Sequence, residues 1–242
     1  MPQVYGVTRR AQPTKSVDGT QQQIRVSGYG DQYAVMMSAG HYGLADEGAY
    51  FKATNPTFGT AVTHATTAAF SATAALFCLR NNDAEGGKRL FIDYVRLIVA
   101  ATPTTATSAQ MAVTIDNTNR FSSGGTAITP VCSNMDSTNA TIANLNFGAV
   151  VLTAASGSVR NIARHTIKTQ ATPCLTAGDV IMCDFGSFAA QGAALNGTAP
   201  VALPSSFGPI VLGGGDSLNF HVWYPAVTVA PSYEFEIGWW ER

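Results

Sequence analysis

In Leu90-Phe91-Ile92-Asp93-Tyr94-Val95-Arg96-Leu97-Ile98-Val99, apolar side chains stand at 90, 92 and 94, then at 95, 97 and 99. A spacing of two puts them on one side of a pleated strand. The change of phase predicts a β-bulge near Tyr94. A helix is the alternative for so apolar a run, but its β-branched and aromatic content favours a strand.

The same signal recurs outward from this segment. Upstream, Ala75-Leu76-Phe77-Cys78-Leu79 reads as a strand that ends in the turn-rich Asn81 to Gly87. Downstream, Met111, Val113 and Ile115 alternate with polar or small neighbours, as do Leu145, Phe147, Ala149 and Val151. Val180 to Phe185 and Pro209 to Leu212 are short apolar runs. Near the end, Leu218, Phe220, Val222 and Tyr224 alternate with Ser217, Asn219, His221 and Trp223. Tyr233, Phe235, Ile237 and Trp239 then alternate with Glu234, Glu236, Gly238 and Trp240, and the two runs read as a hairpin-like pair. Counting Tyr33 to Met37, about eight to ten strands are expected between residues 33 and 240, with no strong amphipathic helix. The ambiguous segment is 158–168, where Arg160, Arg164 and Lys168 fall four apart and fit either a strand or a short helix with a basic face. No fixed-period repeat is present, which argues against a propeller or solenoid. The expected fold class is all-β: one antiparallel β-sandwich of jelly-roll-like type over 32–242.

Two segments stand apart. Residues 1–31 are polar and Gln/Gly-rich and read as an extended N-terminal arm that orders on binding. Residues 43–72, dominated by Ala, Thr and Gly, read as a long loop serving as a contact element.

Composition narrows the function classes. Of 242 residues, 46% are hydrophobic and 12% charged, against a usual charged share of about 25%. The surface is therefore built largely from uncharged side chains, and neighbours packed against it meet little repulsion. A net charge of −1 offers no global basic field for nucleic acid. No run approaches the ~18 apolar residues of a membrane span, and Met1 to Gly6 lacks the apolar core of a signal peptide, so cytoplasmic synthesis is expected. Cys78, Cys132, Cys174 and Cys183 have no zinc-like spacing and read as free thiols.

Candidate chemistry is sparse. His41, Asp46 and Glu47 sit together, but between glycines that fix no ligand geometry, and they read as a polar loop. Asp116 to Asn119 fails the EF-hand pattern, because the sixth and twelfth positions are Phe121 and Ala127. Gly213-Gly214-Gly215 precedes a strand rather than the helix a phosphate loop requires. Glu234 and Glu236 share a strand face but read as solvated, and no nucleophile elbow accompanies His41, His64, His165 or His221. His221 falls on the polar phase of its strand and is expected to face water or a neighbour. No catalytic, cofactor or metal residues are assigned. The partner-interface candidates are the basic set Arg160, Arg164 and Lys168 and the off-phase tryptophans Trp223 and Trp240. The tryptophans read either as interface or sugar-stacking platforms or as rings covered by the arm.

The arm QPTKSVDGTQQQ, the strand RLFIDYVRLIV, the turn-rich NTNRFSSGGTAITP and the ending FEIGWWER give a chain that resembles virion structural proteins of tailed bacteriophages, the kind that decorate or cement capsids. That resemblance implies a jelly-roll-like sandwich, self-association (often as trimers), docking on a major capsid protein, and a place in virions assembled in the host cytoplasm. It implies no catalytic residue and no cofactor. The alternative is a head-fibre, tail or receptor-binding component that takes carbohydrate.

Overall fold

In the computed structural model of the protein, residues 45–65, 67–155, 158–168, 172–185 and 202–242 are described, with backbone alone at 168 and 202–206. They belong to one compact unit, Leu44–Arg242. The N-terminal arm, His41 and the strand expected at Tyr33 to Met37 lie outside the described residues.

Fourteen strands are present among the described residues: β1 (Tyr50–Thr54), β2 (Val62–Thr63), β3 (Ala74–Asn81), β4 (Leu90–Ala101), β5 (Ser108–Asp116), β6 (Phe121–Ile128), β7 (Val131–Cys132), β8 (Ala143–Leu152), β9 (Arg160–Lys168), β10 (Val180–Phe185), β11 (Ala202–Phe207), β12 (Ile210–Leu212), β13 (Ser217–Trp223) and β14 (Ser232–Glu241). They form two sheets. One runs β11-β10-β4-β14-β1-β7, with β12 also beside β4 and β2 beside β14. The other runs β6-β8-β3-β13-β5-β9. Every pairing is antiparallel except β10 with β11.

The bulge is where the phase change puts it. Ile92 pairs with Trp239 and Tyr94 with Gly238, so Asp93 is the extra residue on β4. The shift lets Leu90, Ile92, Val95, Leu97 and Val99 all reach the core, each 2% exposed or less. Facing them across the sandwich are Leu218, Phe220 and Val222 of β13 and Phe77 of β3. The centre is aromatic: Phe77 stacks on Phe220 at 5.0 Å, and Phe147 of β8 stacks on Phe235 of β14 at 3.7 Å. The two sheets thus form an all-β sandwich around one continuous apolar layer.

Two expectations are corrected, and one open choice is settled. First, β13 and β14 are not a hairpin: β13 pairs with β3 and β5 in one sheet, β14 with β4, β1 and β2 in the other. Alternation fixes which side chains face the core, not which strand lies alongside. Second, the described residues of 43–72 are not loop throughout. They contain β1, whose Phe51 and Ala53 are buried between β14 and β7. Its alternation is masked by Ala/Thr/Gly-rich flanks. The choice left open at 158–168, strand or short helix, falls to strand: the segment includes β9, paired with β5 at the sheet edge.

Candidate binding groove

The outer face of β13 is covered. Ser217, Asn219, His221 and Trp223 point away from the core, yet all are buried, Trp223 at 9% exposed. Much of the covering is a strap, residues 64–65 and 67–74. Tyr224 N donates to Thr67 O at 2.8 Å, and His64 Nε2 lies 2.8 Å from Val222 O. His221 Nδ1 meets Ala74 O at 2.8 Å, and Arg120 donates to Ala72 O at 2.8 Å. Phe70 sits on this strap, 5.2 Å from the His221 ring and edge-on to Trp223 at 5.4 Å. Of the two expectations for His221, water or a neighbour, water is excluded, and the ring faces a covering segment of its own chain. The polar phase of β13 packs under a second layer of chain that its own alternation does not reveal.

Carbonyl oxygens only accept, so His221 carries its proton on Nδ1, and its Nε2 accepts from the Thr114 hydroxyl at 3.1 Å. By the same rule His64 donates from Nε2 to Val222 O. Burial lowers the pKa of both rings. Asn219, between Cys78 and Thr114 on the neighbouring strands, buries both amide atoms without a hydrogen-bond partner.

Beside the strap a groove of about 630 Å³ opens over β5 and β9, walled by Phe70, Trp223, Ile162, Ala112 and Arg164, with Asn161 also lining it. It owes its shape to a register shift: Ala163 pairs with Val113 and Asn161 with Thr114, so Ile162 is an extra residue. Ile162 remains 36% exposed at the groove wall. Arg164 is exposed, stands 5.8 Å over the Trp223 ring and donates to Gln110 Oε1 at 3.3 Å. Among the described residues it has no carboxylate partner.

The expected interface residues do not form one surface. Arg164 and Trp223 meet in the groove. The shift at Ile162 places Arg160 opposite Ile115, whose side chain packs against the core, whereas Arg164 lies opposite Ala112 on the outer face. Arg160 and Arg164 therefore do not share a face. Lys168 pairs with Ser108 at the far end of β9. Trp240 is on the other sheet, half-buried and stacked flat on Phe91 at 5.6 Å and 2°.

That other outer face carries a polar network that alternation alone does not show. Tyr50 OH donates to Asp93 Oδ2 at 2.5 Å, and Tyr94 OH donates to Glu236 Oε1. Arg96 and Lys52 both pair with Glu236, the latter at 3.3 Å. Burial opposes ionisation of Glu236, but the Tyr94 hydroxyl and the Arg96 and Lys52 charges outweigh it and hold the carboxyl below its ordinary range. Glu236 is thus a fixed anion in a structural network rather than a solvated carboxylate. Only the pairing of the bulged β4 with β14 and β1 reveals the set.

The remaining candidates are turns. Asp116 is buried, caps Thr118 and faces Arg120, its Oδ2 3.8 Å from Nε. Gly213 N donates to Asp216 Oδ2 at 2.7 Å in the turn into β13. Among the described residues no group of His, Cys, Asp and Glu is arranged to hold a metal ion, and no helix is long and apolar enough to cross a membrane. All four cysteines are free, and burial pushes the Cys78 thiol up to about 12. Comparison of the chain with protein-family models, with curated proteins and with solved structures returns no match.

Proposed function

We propose that this chain is a non-enzymatic structural protein of a bacteriophage virion, a decoration or cement protein that stabilises the head. The observation that carries the reading is strand order. Taking β1, β3, β4, β5, β9, β10, β13 and β14 as strands one to eight, one sheet reads 1-8-3-6 and the other 2-7-4-5. That winding supports a jelly roll, the architecture of viral capsid and lectin domains. The surface adds to it. Met135 is 96% exposed and Phe58 84%, large apolar tips on a chain with few charges. Such tips are suited to being covered by neighbouring subunits. The partners are the major capsid protein and further copies of this chain, with a trimer as the expected assembly. Many weak contacts repeated around a shell add up to tight attachment.

Mass spectrometry of purified particles with cryo-microscopy tests the reading. The chain should be present in fixed proportion to the capsid protein and visible on the shell. Its absence from particles would overturn the proposal.

A second reading is a receptor-binding virion component. It is favoured by Trp240, whose ring lies flat on Phe91 at the outer face of the eight-stranded sheet, and by the use of jelly rolls as lectins. A glycan array should then lose its signal with Trp240→Ala.

A further inference from the structure

The groove beside Trp223 has a counterpart on the same chain. The segment after β7 carries Met135 at its tip, with Asp136 beside it and Glu47 on the adjoining segment before β1, all three exposed. This knob is held in shape. Asn134 Nδ2 donates to Asp46 O at 2.9 Å, and Asn139 Nδ2 to Gly48 O at 3.0 Å. Ser133 N donates to Tyr50 O at 2.9 Å, and Asp136 N to Asn134 Oδ1 at 2.9 Å. A knob already fixed loses little conformational entropy on docking.

Knob and groove lie at opposite sides of the sandwich. β7 ends the eight-stranded sheet on one side, and β9 ends the six-stranded sheet on the other, where it approaches β11. One molecule therefore cannot satisfy its own groove. Their chemistry is complementary: an unbranched thioether suits an aromatic-walled slot, and Arg164 offers a guanidinium where the knob brings carboxylates.

We propose that copies of this chain associate head to tail, Met135 of one copy entering the Phe70–Trp223–Ile162 groove of the next, with Arg164 meeting Glu47 and Asp136. The contact is heterologous, so it propagates around a ring or along a row rather than ending at a two-fold pair. The inference rests on the self-association proposed above but not on attachment to a capsid.

Sedimentation velocity on the purified chain over a range of concentrations tests it. The wild type should form oligomers that grow with concentration. A knob-reversed variant (Glu47→Arg with Asp136→Arg) and a groove-reversed variant (Arg164→Glu) should each weaken association roughly tenfold or more. Mixed together, they should assemble again, because each reversed half meets its opposite. Met135→Ser, at a side chain almost wholly in water, repeats the knob test with no change of charge. A wild type that stays monomeric, a mixture no better than its parts, or loss of association with the groove variant alone would overturn the proposal. The last result would mean a groove-to-groove contact or another occupant. Co-sedimentation with particles is a separate readout, so failure here leaves the virion reading standing.

Discussion

Gly238 on β14 sits opposite Tyr94 on β4, and the rings of Tyr94 and Tyr50 fill the space that a side chain at 238 would need. A Cβ there would come within 2.5 Å of Tyr94 Cε1 and 2.6 Å of the Tyr50 hydroxyl. Those two tyrosines are the ones that hold Asp93 and Glu236, so the glycine lets the polar network close over the bulge. Gly238→Ala should cost about 1–3 kcal/mol, the usual range for forcing extra volume into a packed place. Urea denaturation would show it, and an unchanged midpoint would contradict the packing argument.

The strap makes stability depend on pH. The buried His64 and His221 titrate below the ordinary value of 6.5. For His221, burial is the main cause; the Ala74 hydrogen bond opposes it and the Arg120 charge adds to it. Between the lowered and the ordinary pKa the unfolded chain binds protons that the native chain does not. Stability is therefore full above about pH 6.5 and falls as the solution is acidified, by up to about 1.4 kcal/mol per histidine per pH unit. Denaturation midpoints at pH 7.5 and 5.5 should differ accordingly, and His221→Gln should reduce the difference. A midpoint constant over that interval would refute it.

Arg120 ties three elements together. It donates to Thr153 O after β8 at 2.7 Å and to Ala72 O in the strap at 2.8 Å, and it neutralises Asp116 at the end of β5. Arg120→Met leaves a buried carboxylate and two carbonyls without their partner. The expected loss is about 3–5 kcal/mol, with recovery of part of it on adding Asp116→Asn. Thermal melts of the two single variants and the double variant test the coupling. Strictly additive losses would show that the pair does not interact.

Asn219 should be replaceable at a gain. Its amide is wholly buried and neither polar atom has a hydrogen-bond partner. Asn219→Leu removes the desolvation penalty at similar volume and should raise stability by about 1–2 kcal/mol. A lower melting temperature for this variant would indicate that the amide is satisfied in solution.

The parts of the fold that depend on local alternation are readable in the chain, down to the bulge at Asp93. Apolar side chains that change phase midway through one strand can all reach the same core only if an extra residue intervenes. Sheet membership is not readable. β13 and β14 show the same pattern whether they pair with each other or face each other across a core. The groove is half visible: Arg164 and Trp223 stand out by residue type. That they meet depends on β13 and β9 lying on either side of β5, which alternation does not show, and the groove's wall depends on a strap whose Phe70 comes from a stretch that reads as loop. Polar burial on β13 is invisible for the same reason, since periodicity describes one layer and this sheet has a covering on both sides.

β14 is the last strand in the chain order, yet it lies between β1 and β4 and bridges them. During synthesis, then, the middle of the larger sheet arrives after its flanks. Among the described residues, until 232–241 emerge, β1 has only the two-residue β7 beside it and one long side of β4 waits unpaired. A nascent chain in that condition exposes two apolar strand edges to its neighbours on the same polysome. Closure needs contacts nearly the whole described length apart, so folding is slow by topology. Yield in the cell should therefore respond to chaperone supply and growth temperature more than to the strength of the finished core.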